Sequence, residues 1–280
     1  MNLMWRVGEV TVTRVEESVI PLRPELLLPD LANELIERER PWVDPYFDDQ
    51  GRIRLSIHSF VVVSDGITIV IDTCVGGAPE RPLPGDPAFL DRLDEAVPGG
   101  LNAVDVVLCT HLHFDHVGWN TVVTDGVRVP TFPNARYLFG RVDWETLADH
   151  DREGVADTCI QPIIDAGSAR FVDTDHRLTG EVRLVATPGH TPGHVSVLIE
   201  SSGESALITG DTAHSPIQFA HPELAATPFD ADSEQAADTR RRLVDRYADT
   251  DTLVLGTHFP PPTAGRLVRR GAAATFSTLR

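Results

Sequence analysis

Thr110-His-Leu-His-Phe-Asp-His-Val-Gly118 sets three histidines and one aspartate, His111, His113, His116 and Asp115, directly after the apolar run Val104–Cys109. In extended chain, successive side chains point to opposite faces. Positions 111, 113 and 115 therefore lean one way if the extended path continues past the strand. His116 breaks that alternation, so the chain bends there and the cluster can face two centres. The stretch reads as half of a two-metal site, and the other half must come from distant segments.

Four more polar residues stand where apolar runs end. His190 and His194 lie in Thr187-Pro-Gly-His-Thr-Pro-Gly-His194, Asp211 follows Leu207–Thr209, and His258 follows Thr252–Leu255. Strand ends are where a rigid sheet brings loops from distant positions together. Imidazole and carboxylate donors in this number suit zinc, and manganese, iron or cobalt accept the same ligands. Cys74, Cys109 and Cys159 are too far apart for a CxxC metal site; Cys74 and Cys109, beside apolar runs, read as buried small hydrophobes, and a reducing cytoplasm is the expected location.

The rest of the composition narrows the partners. The chain has 280 residues, a hydrophobic content of 41% and a net charge of -18, and its 24 basic residues are all arginine. That disfavours nucleic acid and acidic membranes, which demand basic patches, and excludes mechanisms built on a lysine. No apolar run approaches the roughly 20 residues of a membrane span, and the charged, alternating N-terminus does not resemble a signal peptide.

Taken in order, Glu9–Ile20 is predicted as a strand and Asp30 as the cap of a short amphipathic helix. Residues 21–50, rich in proline and aromatics, read as an insertion that serves as a lid or a homodimer contact. Arg52–Val63 and Ile67–Ile71 form a hairpin over Ser64-Asp65-Gly66 that runs into Asp72. Asp86-Pro87 opens a helix to about Val97, Val104–Cys109 is a strand covered on both faces, and Arg136–Phe139 is another strand. Residues 143–150 and 154–165 read as helical. Val195–Glu200 and Ala206–Thr209 repeat the hairpin theme and end in Gly210-Asp211-Thr212, much as the first ends in Asp72-Thr73. Asp232–Tyr247 is a helix. The echo suggests two similar halves packed face to face in one domain, residues 1–280, with the site along the join.

The run HLHFDH after Thr110, TPGHTPGH, the GD of Asp211 and the GTH of His258 resemble the metallo-β-lactamase superfamily, in its order and over nearly the whole chain from Arg52. The resemblance implies an α/β, four-layer αββα sandwich of two similar halves. It implies that His111, His113 and His190 hold one metal, that Asp115, His116 and His258 hold a second, and that Asp211 bridges the pair. His194 would then stand behind the ligands, and Asp72 would accept a hydrogen bond from a ligand imidazole. Such a pair lowers the pKa of a shared water to near 7, giving a bridging hydroxide as nucleophile, while Asp115 or Asp211 passes a proton to the leaving group.

Within the superfamily, flavodiiron enzymes put a glutamate where His113 stands, and nucleases act on polyanions that this charge repels. Zinc β-lactamases do not use the whole ligand set with a bridging aspartate. Thioesterases similar to glyoxalase II carry a helical region past the last ligand and rank second here. A metal-binding scaffold or sensor without catalysis ranks third. Acyl-homoserine lactonases of one kind carry a tyrosine three residues after the bridging aspartate, where this chain has His214. Asp211-x-x-His214-x-Pro216-x-Gln218 and Gly118-Trp119-Asn120 are more similar to the methyl parathion hydrolase group. The expectation is a dinuclear zinc hydrolase of small neutral esters, lactone or carboxylic ester before phosphotriester. Phe114, Trp119, His214, Gln218, Phe219 and Phe259 are expected to line its substrate pocket.

Overall fold

The computed structural model describes residues 2–77, 82–83, 85–147, 151, 154–227 and 229–278. Two large sheets dominate. The first runs in the order β1 (Leu3–Val7), β2 (Val10–Leu22), β3 (Ile53–Ser64), β4 (Ile67–Ile71), β5 (Val106–Leu108), β8 (Arg136–Gly140) and β9 (Ala169–Val172), with β6 (Thr121–Thr124) and β7 (Val127–Pro130) as a separate hairpin. The second runs β10 (Val182–Ala186), β11 (Val195–Ser201), β12 (Glu204–Ile208), β13 (Leu253–Leu255), β14 (Ala264–Arg270) and β15 (Ala273–Thr278).

Side-chain alternation explains the layering. Ile69, Ile71, Val106 and Leu108 of the first sheet share one apolar cluster with Val195, Val197, Ile208 and Leu255 of the second. Their sequence neighbours Val70, Val107, Leu198, Leu207 and Val254 point the other way into a second cluster, with Phe89, Leu93, Leu243 and Val244 from the helices Ala88–Ala96 and Ser233–Tyr247. Strands buried on both faces read as continuous apolar runs, which is why β5 and β13 show no polar alternation. The result is helix, sheet, sheet, helix, as expected.

The two expected hairpins are present and built alike. Asp65 and Gly66 turn β3 into β4, and Ser202 and Gly203 turn β11 into β12, all four with positive φ. Positive φ at both central residues matches the right-handed twist of the flanking strands. After each hairpin comes a parallel neighbour, β5 beside β4 and β13 beside β12. The C-terminal ends of these four strands therefore lie along one edge of the sandwich.

One local expectation needs correction. Asp30 is not a cap: the helix spans Asn33–Glu39, and Ala32 precedes it without a side-chain hydrogen bond. The helix expected from Asp86-Pro87 is present as Ala88–Ala96, and Ala88 N–H donates to Asp86 Oδ1 at 3.0 Å. Asp232 caps Ser233–Tyr247 by accepting from Gln235 N. Residues 148–150 of the expected helix lie outside the described residues. The segment 21–50 packs into the core through Leu28, Val43 and Tyr46, and the buried Glu39 carboxylate accepts from Trp42, His221 and Arg270.

Candidate metal centre

Each polar residue picked from the sequence as a ligand stands at the shared edge. β5 ends at Leu108, the chain bends at Thr110 and His111, and a helical turn, Phe114–Val117, begins after an extended His113. The bend expected at His116 therefore comes earlier, starting at Thr110. The helical turn sets Asp115 and His116 beside His258, while the His116 ring stays 4.0 Å from that of His111.

The nitrogens then converge. His113 Nδ1 lies 3.1 Å from His111 Nε2 and 2.9 Å from His190 Nε2. His116 Nε2 is 3.7 Å from Asp115 Oδ1, and His258 Nε2 is 3.7 Å from Asp115 Oδ2. Between these sets, Asp211 Oδ2 stands 3.0 Å from His258 Nε2, 3.3 Å from His116 Nε2, 3.4 Å from His190 Nε2 and 3.8 Å from His111 Nε2. The donor atoms of His111, His113 and His190, and those of Asp115, His116 and His258, are close enough to share an ion.

The outward faces of the rings explain why the inward nitrogens are the ones left to meet an ion. His258 Nδ1 donates to the Ser56 carbonyl at 2.8 Å, an acceptor that leaves no choice of proton. His116 Nδ1 lies 2.9 Å from Asp72 Oδ2, and His190 Nδ1 lies 3.0 Å from Asp230 Oδ1. Carboxylates there hold the proton on Nδ1 and leave Nε2 as a donor toward the centre. Asp72 also accepts from Thr110 N and Thr110 Oγ1, so it fixes the start of the ligand loop as well.

His194 does a different job. Asp211 N donates to its Nε2 at 2.7 Å, and its Nδ1 lies 3.0 Å from the Thr187 carbonyl. Both nitrogens are engaged, so His194 holds the Asp211 backbone and has no lone pair left for an ion.

Burial pushes His111 and His190 well below the usual imidazole range and His113 to about 4. Burial acts the same way on His116, but Asp211, Asp72 and Asp115 outweigh it and raise that imidazole well above its ordinary value. His258 is raised against burial by Asp211 and Asp115. Asp211 is buried too, yet the surrounding imidazoles hold its carboxyl well below the ordinary value. Even so, Asp211 Oδ1 and His116 Nε2 are buried without a hydrogen-bond partner, which protein interiors rarely tolerate. The donor set fits divalent cations.

The expected pocket residues divide. Phe114 keeps exposed surface beside the ligands. His214 Nε2 is 3.2 Å from Asp211 Oδ2, and its ring stacks on His258 at 5.4 Å, so it belongs to the centre itself. Gln218, Phe219 and Phe259 are 0% exposed and lie beneath the site rather than lining a pocket. Gln218 Oε1 accepts from His214 N, and its amide donates to the Leu224 carbonyl, so it braces the loop. Trp119 is also buried, with Nε1 donating to Glu17 Oε1 at 2.6 Å. Aromatic residues near ligands in sequence are here drawn into the core by the same apolar surface that suggested a pocket.

The sequence reading missed Asp230, Ser56 and Asp143. Asp230 sits in a loop without periodicity, and Ser56 acts through a backbone carbonyl, so neither left a local signal. Asp143 opens the helix Arg141–Leu147 and accepts from Gly193 N and Thr191 Oγ1. Burial pushes its carboxyl up to about 6.

A family model described as the metallo-beta-lactamase superfamily matches residues 52–258. The chain belongs to the metallo-beta-lactamase superfamily. An N-acyl homoserine lactonase from Bacillus sp is 33% identical over 138 residues, 49% of this chain and 48% of that protein. A hydroxyacylglutathione hydrolase from Acidiphilium cryptum (strain JF-5) is 35% identical over 138 residues, 47% of this chain and 46% of its own. The chain thus matches about half the length of these curated relatives. Among superfamily structures, the hydrolase AbOPH aligns with TM-score 0.81 at 24% identity, covering 100% of this chain and 97% of that one. AidC, a dizinc quorum-quenching lactonase in complex with its product N-hexnoyl-L-homoserine, aligns with TM-score 0.78 at 22% identity over the same shares. At those identities the structural matches speak for the fold.

Proposed function

We propose that this superfamily member is a dizinc hydrolase of small neutral esters, with lactones and carboxylic esters ahead of phosphotriesters. One observation carries the reading. A single buried carboxylate oxygen, Asp211 Oδ2, stands 3.0 to 3.8 Å from Nε2 of His258, His214, His116, His190 and His111. Hydrogen bonding alone gives no reason to aim so many imidazoles at one oxygen.

His111, His113 and His190 would hold one ion, Asp115, His116 and His258 the other, with Asp211 between them. Bound there, such ions supply Lewis acidity toward an ester oxygen and lower the pKa of water to near neutrality. The chain's own part is preorganisation: Asp72, Asp230 and Ser56 hold three rings in place before substrate arrives. Asp115, the more exposed of the two site carboxylates, is placed to carry a proton toward a leaving alkoxide. His214 presents Nε2 at the mouth of the Asp211 carboxylate, and the partly exposed Phe114 offers an apolar wall.

The lactonase relative and the dizinc lactonase neighbour support the ester class. The hydroxyacylglutathione hydrolase relative supports a thioesterase as the second reading. The test is metal analysis and a hydrolysis screen on one preparation, with lactone, aryl ester, thioester and phosphotriester arms. About two ions per chain and lactone or ester turnover, lost on chelation and restored by zinc, is the expected result. Turnover confined to the thioester would replace this reading with the second. A fully loaded chain inert in every arm would make it a metal-binding scaffold.

A further inference from the structure

We propose that Asp143 is a positioning residue for the metal centre: it locks the loop 187–194 of one half onto the other half, so that His190 meets His111 and His113. The inference rests on reading His190 as a ligand. That first set is split, with two imidazoles delivered by the loop after β5 and the third by the loop after β10. It forms only if the two halves sit in register at this edge.

Asp143 follows β8 in the first sheet and reaches across. It is 3% exposed. Its Oδ1 accepts from Gly193 N at 2.6 Å and its Oδ2 from Thr191 Oγ1 at 2.9 Å, the residues one and three places after His190. The approach is close enough to require glycine, because a Cβ at Gly193 would lie 2.6 Å from Asp143 N and 2.7 Å from Asp143 Oδ1. Within the loop, Gly189 N and His194 N both donate to the Thr191 carbonyl, so the residue held by Asp143 closes the turn that carries His190. On its far side the loop is fixed by the second half itself, since Ala231 N donates to the His190 carbonyl and Asp232 N to the Gly189 carbonyl. From the opposite half, Asp143 holds the loop's backbone and Thr191, while His113 meets only the His190 ring. It touches Thr191 and Gly193 and acts on His190 only through them.

The test compares Asp143→Ala, Asp143→Asn and Thr191→Val in the full chain, each checked for native melting behaviour. The readouts are zinc affinity by competition with a chromophoric chelator and the absorption bands of the cobalt(II)-loaded protein. Partners behind metal ligands typically change affinity by about 10- to 100-fold. Asp143→Ala should weaken one of the two ions by at least about tenfold and shift one set of cobalt bands. Asp143→Asn should recover most of the affinity, because its Oδ1 still accepts from Gly193 N. Thr191→Val should fall between them, and it decides the question alone if the alanine variant does not fold. Both ions bound as in the parent chain, with unchanged cobalt bands, in Asp143→Ala or Thr191→Val would overturn the proposal. A parent chain that takes up no metal overturns it together with the reading it rests on.

Discussion

The two halves of the candidate metal centre are built from nearly the same residue types and behave oppositely toward protons. His111, His113 and His190 face mainly one another, and burial keeps them neutral. His116 and His258 are equally buried, but Asp72, Asp115 and Asp211 surround them and favour the imidazolium. The difference is one of carboxylate placement: each set has one carboxylate behind a ring, Asp230 at His190 and Asp72 at His116, but only the second set has an acidic residue, Asp115, among its own members. The first set is therefore preorganised as three free lone pairs. In the second, an incoming cation must displace protons.

Asp211 belongs to both sets, so removing it should erase the contrast. Asp211→Ala takes away the shared carboxylate and leaves the raised imidazoles without their main counter-charge. Hydrolysis should fall by at least about a thousandfold, about 4 kcal/mol at 1.36 kcal/mol per decade, and both ions should bind more weakly. Full activity with two ions per chain in that variant would show that Asp211 bridges nothing.

Asp72 and Asp230 separate the sets. Each accepts from the outer nitrogen of one proposed ligand, His116 and His190 respectively. Asp72→Asn should weaken the second ion and Asp230→Asn the first, each by about 10- to 100-fold, read by chelator competition with cobalt spectra to tell the centres apart. Loss of the same ion in both variants would mean that the two sets do not act as separate centres.

That pair also shows what the sequence could reveal. Asp72 was legible because it ends a predicted strand, and ends of buried strands were where the chemistry was sought. The same logic singled out His111, His113, His190, Asp211 and His258, which the fold brings together, and the two hairpins pointed to the two-halved sandwich. Asp230 does for His190 what Asp72 does for His116, yet it lies in an irregular loop that only the tertiary fold brings to the ring. Ser56 contributes a carbonyl, which every residue has. Trp119, Phe219 and Phe259 misled in the other direction: closeness in sequence to a ligand says nothing about whether a ring faces solvent or core. Gln218 looked like a substrate contact and is a brace, because its amide meets backbone groups four residues before it and six after.

The smallest effect, and the most direct reading of the contrast, is the pH dependence of the metal-free chain. His113 titrates at about 4 in the fold, below the ordinary 6.5. Between those values the unfolded chain binds more protons, so stability rises with pH and levels off above 6.5. His111 and His190 act in the same direction. His116 and His258 do the reverse: their raised values add stability that is fully present below 6.5 and is lost as pH climbs through the folded value. The melting temperature of the metal-free protein should therefore peak near pH 6.5 and drop on either side by a few degrees, since about 1 kcal/mol corresponds to roughly 2–4 °C at this chain length. His116→Gln should flatten the limb above the peak and leave the limb below it. Zinc should flatten the same limb, because a ligated imidazole has no proton to lose. A melting temperature that keeps rising from pH 6.5 to 8 in the metal-free parent would mean the carboxylates do not hold protons on the second set, and the contrast between the halves would fail at its source.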